Sequence, residues 1–243
     1  NMYFCNTLRI YMTSLEHEVA KYYFKPKPFW DDIPTPVHDE LKAHSVTTGI
    51  KKGGVVYTEG TYPKGLYILT KGIAKLYTLN HLGQEQIIYM LGKNEMFGYR
   101  SIACNNNSII YITAIEDCEI ELIDRDTFVT QLFSSTELNK VFMNYFGEEF
   151  RILYQKISVF GLKPVTERFA LTLLILNQKF NAYTEGPQIV RFMKKDIANY
   201  AGMAIETLSR QLNHLRALGA VENRGGNIIL KDLDVLFKIA NIA

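Results

Sequence analysis

Polar and apolar positions alternate with two different periods along this chain. From Val46 to Phe128 short β-prone runs recur at near-regular intervals: Val55-Val56-Tyr57, Leu66 to Leu69, Ile73 to Tyr77, Gln86 to Leu91, Ile109 to Ala114 and Cys118 to Ile123. Gly/Asn turn signals separate them, among them Gly53-Gly54, Glu59-Gly60, Lys71-Gly72, Asn80 to Gly83 and Asn105 to Asn107. Many short strands with such turns predict a sandwich, barrel or jelly roll. Glu119 and Glu121, alternating with Cys118, Ile120 and Leu122, predict a strand wet on one face. The preceding forty residues are irregular in pattern and broken by prolines, with Phe29, Trp30 and Ile33 as packing residues and a short helix from Val37 to His44.

Further along, the period becomes helical. Met143, Phe146, Phe150, Leu153, Ile157 and Phe160 follow alternating spacings of three and four, a heptad seam. A second apolar stripe runs through Leu138, Phe142, Tyr145, Ile152 and Val159. A helix apolar on two faces must be covered on two sides. The β-region can cover one. A second copy of the same helix is the economical cover for the other, the alternative being a helix enclosed within one chain. Gly161-Leu162-Lys163-Pro164 breaks this helix at a hinge, and Val165 to Phe180 is the next helix. Glu185-Gly186-Pro187 predicts a turn before a β-like segment from Gln188 to Phe192.

Met193 to Leu218 carries the most specific signal. A short amphipathic helix with Ile197, Ala198 and Ala201 inward meets a turn at Gly202, and a second helix follows with Leu208, Leu212 and Leu215 on one face. Two helices joined by a glycine turn are a helix-turn-helix pattern, although other all-helical folds contain such pairs. In a DNA-binding motif the second helix enters the major groove with its N-terminal residues facing base edges. Here those residues are Glu206, Ser209 and Arg210, on one face. Arginine pairs bidentately with guanine, and glutamate accepts from cytosine. Lys194, Lys195, Thr207 and Arg224 complete the candidate DNA contacts. Gly225-Gly226, between Val221 to Arg224 and Asn227 to Leu230, predicts a β-hairpin, hence a winged helix.

Charge points the same way. The whole chain carries 27 Lys and Arg against 25 Asp and Glu, but from Lys163 onward the balance is 11 to 7. A basic excess on one lobe suits phosphate contact. The 47% apolar and 21% charged composition is that of an ordinary globular protein, and no apolar run reaches membrane-spanning length. The start, Asn1-Met2-Tyr3-Phe4, has no basic leader or long apolar core, so a cytoplasmic location is expected. The cysteines, Cys5, Cys104 and Cys118, are far apart and lack zinc spacing. They read as free thiols, Cys118 in the core and Cys5 as the exposed one.

The order β-roll, long helix, proline hinge, winged helix-turn-helix resembles the Crp/Fnr family of bacterial transcription regulators. The resemblance covers about four fifths of the chain, from Val46 onward. It is carried by Gly60 with Leu66 to Gly72, by Asn94-Glu95-Met96-Phe97-Gly98, by Val165-Thr166-Glu167-Arg168-Phe169-Ala170 and by Glu206-Thr207-Leu208-Ser209-Arg210. It implies an α+β protein with three parts. Residues 1–135 would form an N-terminal arm and a double-stranded β-helix (jelly-roll) sensor domain. Residues 136–162 would form a dimerisation helix, and 163–243 a winged helix-turn-helix. It also implies a homodimer on a palindromic operator with a TGA-like half-site core, Arg210 taking the guanine, and contact with RNA polymerase as a further partner. Ala204 stands where the family often has a Ser or Thr helix cap.

The departures bear on the effector. Cyclic-AMP-binding members place a Glu after the Phe-Gly pair for the ribose and an Arg-Ser pair for the phosphate. Here Tyr99 follows Gly98, and Ser108-Ile109 aligns with Arg-Ser. A buried anion without a cationic partner is costly, so cyclic AMP is not expected. Iron-sulfur members use several N-terminal cysteines, and this chain has Cys5 alone in that region. Haem would need axial ligands, for which His17, His38, His44 and His81 are isolated candidates; no metal and no bound cofactor is expected. An unknown small-molecule effector would sit between roll and helix, against Tyr89, Phe97, Gly98, Tyr99, Arg100, Ser101, Ser108, Tyr111 and Tyr145. The bland alternative is that these rings fill the core.

Three functions follow for weighing. The first is a DNA-binding regulator controlled by an effector other than cyclic AMP. The second is a small-molecule-binding module whose helix-turn-helix makes protein contacts. The third is an enzyme on a cupin-like roll, which the absence of an H-x-H pair in the roll argues against.

Overall fold

The computed structural model describes residues 15–25, 29–181 and 188–242. The expected exposed Cys5 and the turn at Glu185-Gly186-Pro187 lie outside the described residues. The chain divides into two compact units. One spans Pro26–Gly147; the other joins the residues up to Lys25 with those from Glu148 onward. The boundary therefore falls inside the long helix rather than at either of its ends. The arm also divides, with residues 15–25 packing with the C-terminal unit.

The first unit begins with a 3-10 turn, Phe29–Asp32, and helix α2 (Thr35–Ala43); helix α1, residues 15–20, belongs to the other unit. Prolines at the start of α2 suit the first turn, whose N–H groups have no partner within the helix. Eight strands follow: β1 (Ser45–Ile50), β2 (Val55–Tyr57), β3 (Gly65–Lys71), β4 (Ala74–Leu79), β5 (Glu85–Leu91), β6 (Met96–Phe97), β7 (Tyr111–Ala114) and β8 (Cys118–Asp124). They form two antiparallel four-stranded sheets, ordered β1-β8-β3-β6 and β2-β7-β4-β5. The sheets face each other where the ring of Tyr57 meets that of Tyr67, with centroids 5.9 Å apart. Leu76, Ile87 and Ile112 of the second sheet are fully buried, while Leu66 and Ile123 of the first pack in a core cluster with Leu41, Phe128 and Leu138.

Two short helices interrupt what reads as continuous β-text. Helix α3 (Tyr99–Ala103) follows Gly98, and α4 (Arg125–Ser134) begins where the strand pattern was expected to run on to Phe128. Asp124 starts α4 by accepting from the N–H groups of Asp126 and Thr127, both at 3.0 Å. Those bonds favour the carboxylate and hold the Asp124 pKa below the usual range, the Thr127 N–H first among the causes.

The wet face expected of β8 is half right. Glu119 is exposed, but Glu121 is buried. Trp30 Nε1 donates to it at 3.3 Å, Lys42 Nζ at 2.5 Å and Ser45 Oγ at 2.7 Å. The 3-10 turn and α2 lie over this strand, and a buried carboxylate persists because cation and hydrogen bonds surround it. Cys118 is buried as expected, whereas Cys104, at the end of α3, is exposed.

Helix α5 (Thr136–Leu162) runs to the expected hinge, and α6 (Val165–Asn181) starts directly after Pro164. The second unit continues with β9 (Ile189–Val190), α7 (Lys194–Ala201), α8 (Ile205–Ala217), β10 (Val221–Arg224), β11 (Asn227–Leu230) and α9 (Leu233–Ala240). Strands β9, β10 and β11 form a sheet ordered β10-β11-β9. Arg224 pairs with Asn227, leaving Gly225-Gly226 as the two-residue turn of the wing. Helix α6 is buried without a break from Phe169 to Asn177, as the central support of this unit must be. Among the described residues, no helix is long and apolar enough to cross a membrane.

Candidate nucleic-acid interface

The helix-turn-helix forms as its pattern predicts. Ile197, Ala198 and Ala201 of α7 and Leu208, Leu212 and Leu215 of α8 are all buried. Between the helices Gly202 adopts φ 62°, a left-handed conformation that glycine takes without strain. Arg168 of α6 braces this turn: its Nη2 donates to Gly202 O at 3.3 Å, and its Nη1 to Phe160 O at 3.5 Å. Ala204 precedes α8 without a side-chain cap.

Burial of the leucine face leaves the other face of α8 in solvent. Glu206, Ser209 and Arg210 are exposed together. Ser209 Oγ donates to Ile205 O at 3.0 Å, and Arg210 Nη2 to the half-buried Thr207 Oγ1 at 3.2 Å. Both bonds hold side chains close to their own helix with the polar edges outward. Glu206 sits in the first turn, where a negative charge suits the helix dipole. Asn213 belongs to the same stripe, seven residues after Glu206 and three after Arg210, and is exposed. Sequence reasoning stopped one turn short of it. The helical period that grouped the first three would have found it, and asparagine is suited to adenine.

Basic side chains lie on the neighbouring elements of the same unit. Lys195 is exposed and Lys194 half-buried at the start of α7. Arg224, exposed on the wing, donates to Glu222 Oε1 at 3.1 Å and 2.9 Å. A pair so exposed is worth little in water, so the guanidinium can turn to another anion at small cost.

The residues expected around an effector do not come together as one group. Tyr89 is interior: it pairs across β4 with Leu76, which pairs in turn with Ile112. Tyr111 is on the opposite face, stacked on Tyr77 at 5.3 Å. Strand alternation explains the split, since Tyr111 and Ile112 must point to opposite sides. A bond with Glu59 is the leading cause of the raised Tyr111 pKa. Tyr99 is a core residue, and the half-buried Tyr145 packs against it. Their rings are 5.4 Å apart, Tyr99 also meets Phe142 and Phe146, and Tyr145 Oη accepts from the Met96 N–H at 3.1 Å.

Phe97, Gly98, Ser101 and Ser108 share one end of the interior. Phe97 stacks on Tyr67 at 4.9 Å. Gly98, at φ 89°, lies so close to Tyr67 that an added Cβ would stand 2.8 Å from its ring. Tyr57 is buried beside Ser101 and Ser108, and burial pushes its phenol pKa up. The Ser108 hydroxyl donates to Ile110 O at 3.0 Å and accepts from the Ile110 N–H at 3.1 Å, so it serves the local turn. Arg100 lies 5.9 Å from the Tyr89 ring and 5.7 Å from that of Tyr99. Among the described residues no cluster of three or more His, Cys, Asp or Glu could hold a metal ion.

A β-roll, a long helix and a winged helix-turn-helix with a polar recognition face define a DNA-binding transcription regulator, and comparison with known proteins agrees. Residues 48–135 match the cyclic nucleotide-binding domain, and 167–239 the Crp-like helix-turn-helix domain. The fumarate nitrate reduction regulatory protein of Klebsiella oxytoca is 26% identical over 196 residues, 80% of this chain and 78% of that one. Its counterpart from Escherichia coli K12 is 25% identical over 193 residues, 79% of this chain and 77% of that one. In fold, FixK2 from Bradyrhizobium japonicum superposes with a TM-score of 0.70 at 22% identity, covering 80% of this chain and 96% of its own. A Crp/Fnr-family transcriptional regulator from Thermus thermophilus gives 0.70 at 20% identity, with 81% and 98% covered. The chain belongs to the Crp/Fnr family of transcription regulators.

Proposed function

We propose that this protein is a homodimer that reads a palindromic operator through Glu206, Ser209, Arg210 and Asn213. In this reading Lys194, Lys195, Thr207 and Arg224 hold the DNA backbone. The observation that carries the reading is the exposed polar face of α8 beside a set of basic side chains. The homodimer is supported by the α5 seam. In the single chain Met143, Phe150 and Ile157 are 64%, 57% and 66% exposed at an interval of seven residues. Phe146, Leu153 and Phe160 are half-buried between them. An apolar row of this length in water calls for a partner, and a matching helix supplies one. A dimer places two recognition helices on two half-sites one turn of DNA apart.

Control passes through the roll by an effector other than cyclic AMP. Tyr99 faces the core where the ribose carboxylate would stand, and Ser108 brings no charge to the phosphate position. An effector favouring one arrangement of the α5 helices would shift the spacing of the recognition helices. RNA polymerase is the further partner.

Gel-shift titration of selected genomic duplexes tests the DNA reading. Wild type should bind a palindromic duplex tightly, and Arg210→Ala should lose about 1–3 kcal/mol and tolerate substitution at one base pair. Equal affinity and specificity in the variant would contradict the assignment. No binding by wild type to any duplex would instead favour protein contacts by the helix-turn-helix.

A further inference from the structure

Residues 15–25 lie outside both domain matches, yet they pack into the unit that carries the recognition helix. Leu15, Val19 and Tyr23 repeat at intervals of four and are buried to 4%, 1% and 5% exposure. Leu15 and Val19 form one apolar face of α1, and Tyr23 follows in the bend after its end, all three laid on a partner surface. Two hydrogen bonds show what it is laid on. Arg151 Nη1, from α5, donates to Lys21 O at 3.0 Å, and Gln178 Nε2, from α6, donates to Glu16 O at 2.8 Å. One segment therefore holds residues on both sides of the Gly161 to Pro164 break.

Tyr22 fills the space between. It shares a cavity of only about 20 Å³ with Phe160 of α5, Leu171 and Ile175 of α6 and Tyr200 of α7. Such a volume admits at most about one water, so the joint is closed by side chains. Arg168, on the wall of the same cavity, continues the connection to Gly202, the turn that sets the start of α8. The break has bonds of its own to which this segment adds: Lys163 N donates to Val159 O and Arg168 N to Pro164 O, Lys163 Nζ donates to Ala240 O, Asn241 O and Glu167, and Arg168 Nη1 reaches back to Phe160 O.

We propose that residues 15–25 are a brace that clamps the α5–α6 joint and thereby positions the recognition helix. A joint held in one arrangement presents α8 already oriented, and binding then carries no cost of selecting it from several. The effect on DNA binding rests on the function proposed above; the clamping does not.

The test uses the full chain with Tyr22→Ala and, separately, Arg151→Ala. The control is Glu148→Gln, which disrupts the Arg151 pair with Glu148 but leaves the bond to Lys21. Hydrogen exchange of the backbone amides from Lys163 to Phe169 reads the joint directly. Gel shift on the selected operator duplex reads the consequence. Both alanine variants should exchange faster at the joint and bind the operator about tenfold more weakly, a coupling of ordinary size. Dimer mass should be unchanged, and Tyr22→Phe and Glu148→Gln should behave as wild type. Wild-type exchange at the joint in both alanine variants overturns the brace. Faster exchange with unaltered operator affinity overturns its role in positioning α8. If wild type binds no duplex, the DNA reading fails, and exchange still decides whether the brace exists.

Discussion

On α8, Glu206, Ser209, Arg210 and Asn213 stand exposed with their functional edges outward. At the ligand end of the roll the polar groups are turned to other work: Ser108 bonds its own turn, and Tyr145 caps the Met96 N–H. Nearby Tyr57 and Tyr67 are enclosed by other rings. Both regions match their family's domains, but only on the recognition helix do the polar side chains stand clear of the fold. A family's fold is inherited by packing, whereas its function depends on a few side chains at a site. In the function proposed above, the polar side chains of α8 are free to meet DNA, whereas those at this end of the roll are engaged within the fold.

The largest effect should come from breaking the proposed α5 seam. Phe150→Asp with Ile157→Asp should give a monomer by sedimentation and weaken operator binding at least about a hundredfold, since avidity between half-sites is lost. A dimer that survives both charges would remove α5 as the interface. Next, Arg210→Ala should weaken operator binding about ten- to a hundredfold while leaving the melting temperature unchanged. In the roll, Gly98→Ala should destabilise by about 1–3 kcal/mol, because its Cβ would meet Tyr67 and Gly65 O at φ 89°. Chemical denaturation measures it, and full stability in the variant would mean that this end of the roll is looser than described.

Lys156 links stability to pH in the C-terminal unit. Its residue is half-buried, but its amine lies 3.8 Å from the Tyr200 ring centre. Desolvation first, and the nearby Lys179 second, hold its pKa well below the ordinary 10.5. As pH falls from 10.5 toward that lower value, the unfolded chain binds a proton that the folded chain does not, so stability declines. Melting temperature should therefore rise with pH on the approach to 10.5, and Lys156→Met should flatten that rise. An identical slope in the variant would show that other groups cause it. The smallest effect is Ala204→Ser, which supplies the missing cap of α8 and should add about 0.5–1 kcal/mol; a calorimetric scan with no gain would mean that the helix start is already satisfied.

The helical half was the more legible in the sequence, because its periods are long and its punctuation local. The α5 seam, the Gly161 to Pro164 break and the leucine face of α8 each declare themselves within a single element. What was not legible depends on distant partners. Glu121 reads as a solvent residue until Trp30 and Lys42 cover it. Tyr111 and Tyr89 read as neighbours until strand parity sets them on opposite faces. Helix α1 is too short for its apolar spacing to stand out among the prolines that follow, and only its partners on α5 and α6 reveal its role.

The proposed dimer would read DNA without a cyclic nucleotide. The direct measurement is selection of genomic fragments by the purified full chain, sequenced with and without about 1 mM cyclic AMP, a concentration about a thousandfold above a micromolar Kd. One palindromic motif, enriched equally in both arms, is expected. Enrichment only with cyclic AMP would overturn that reading.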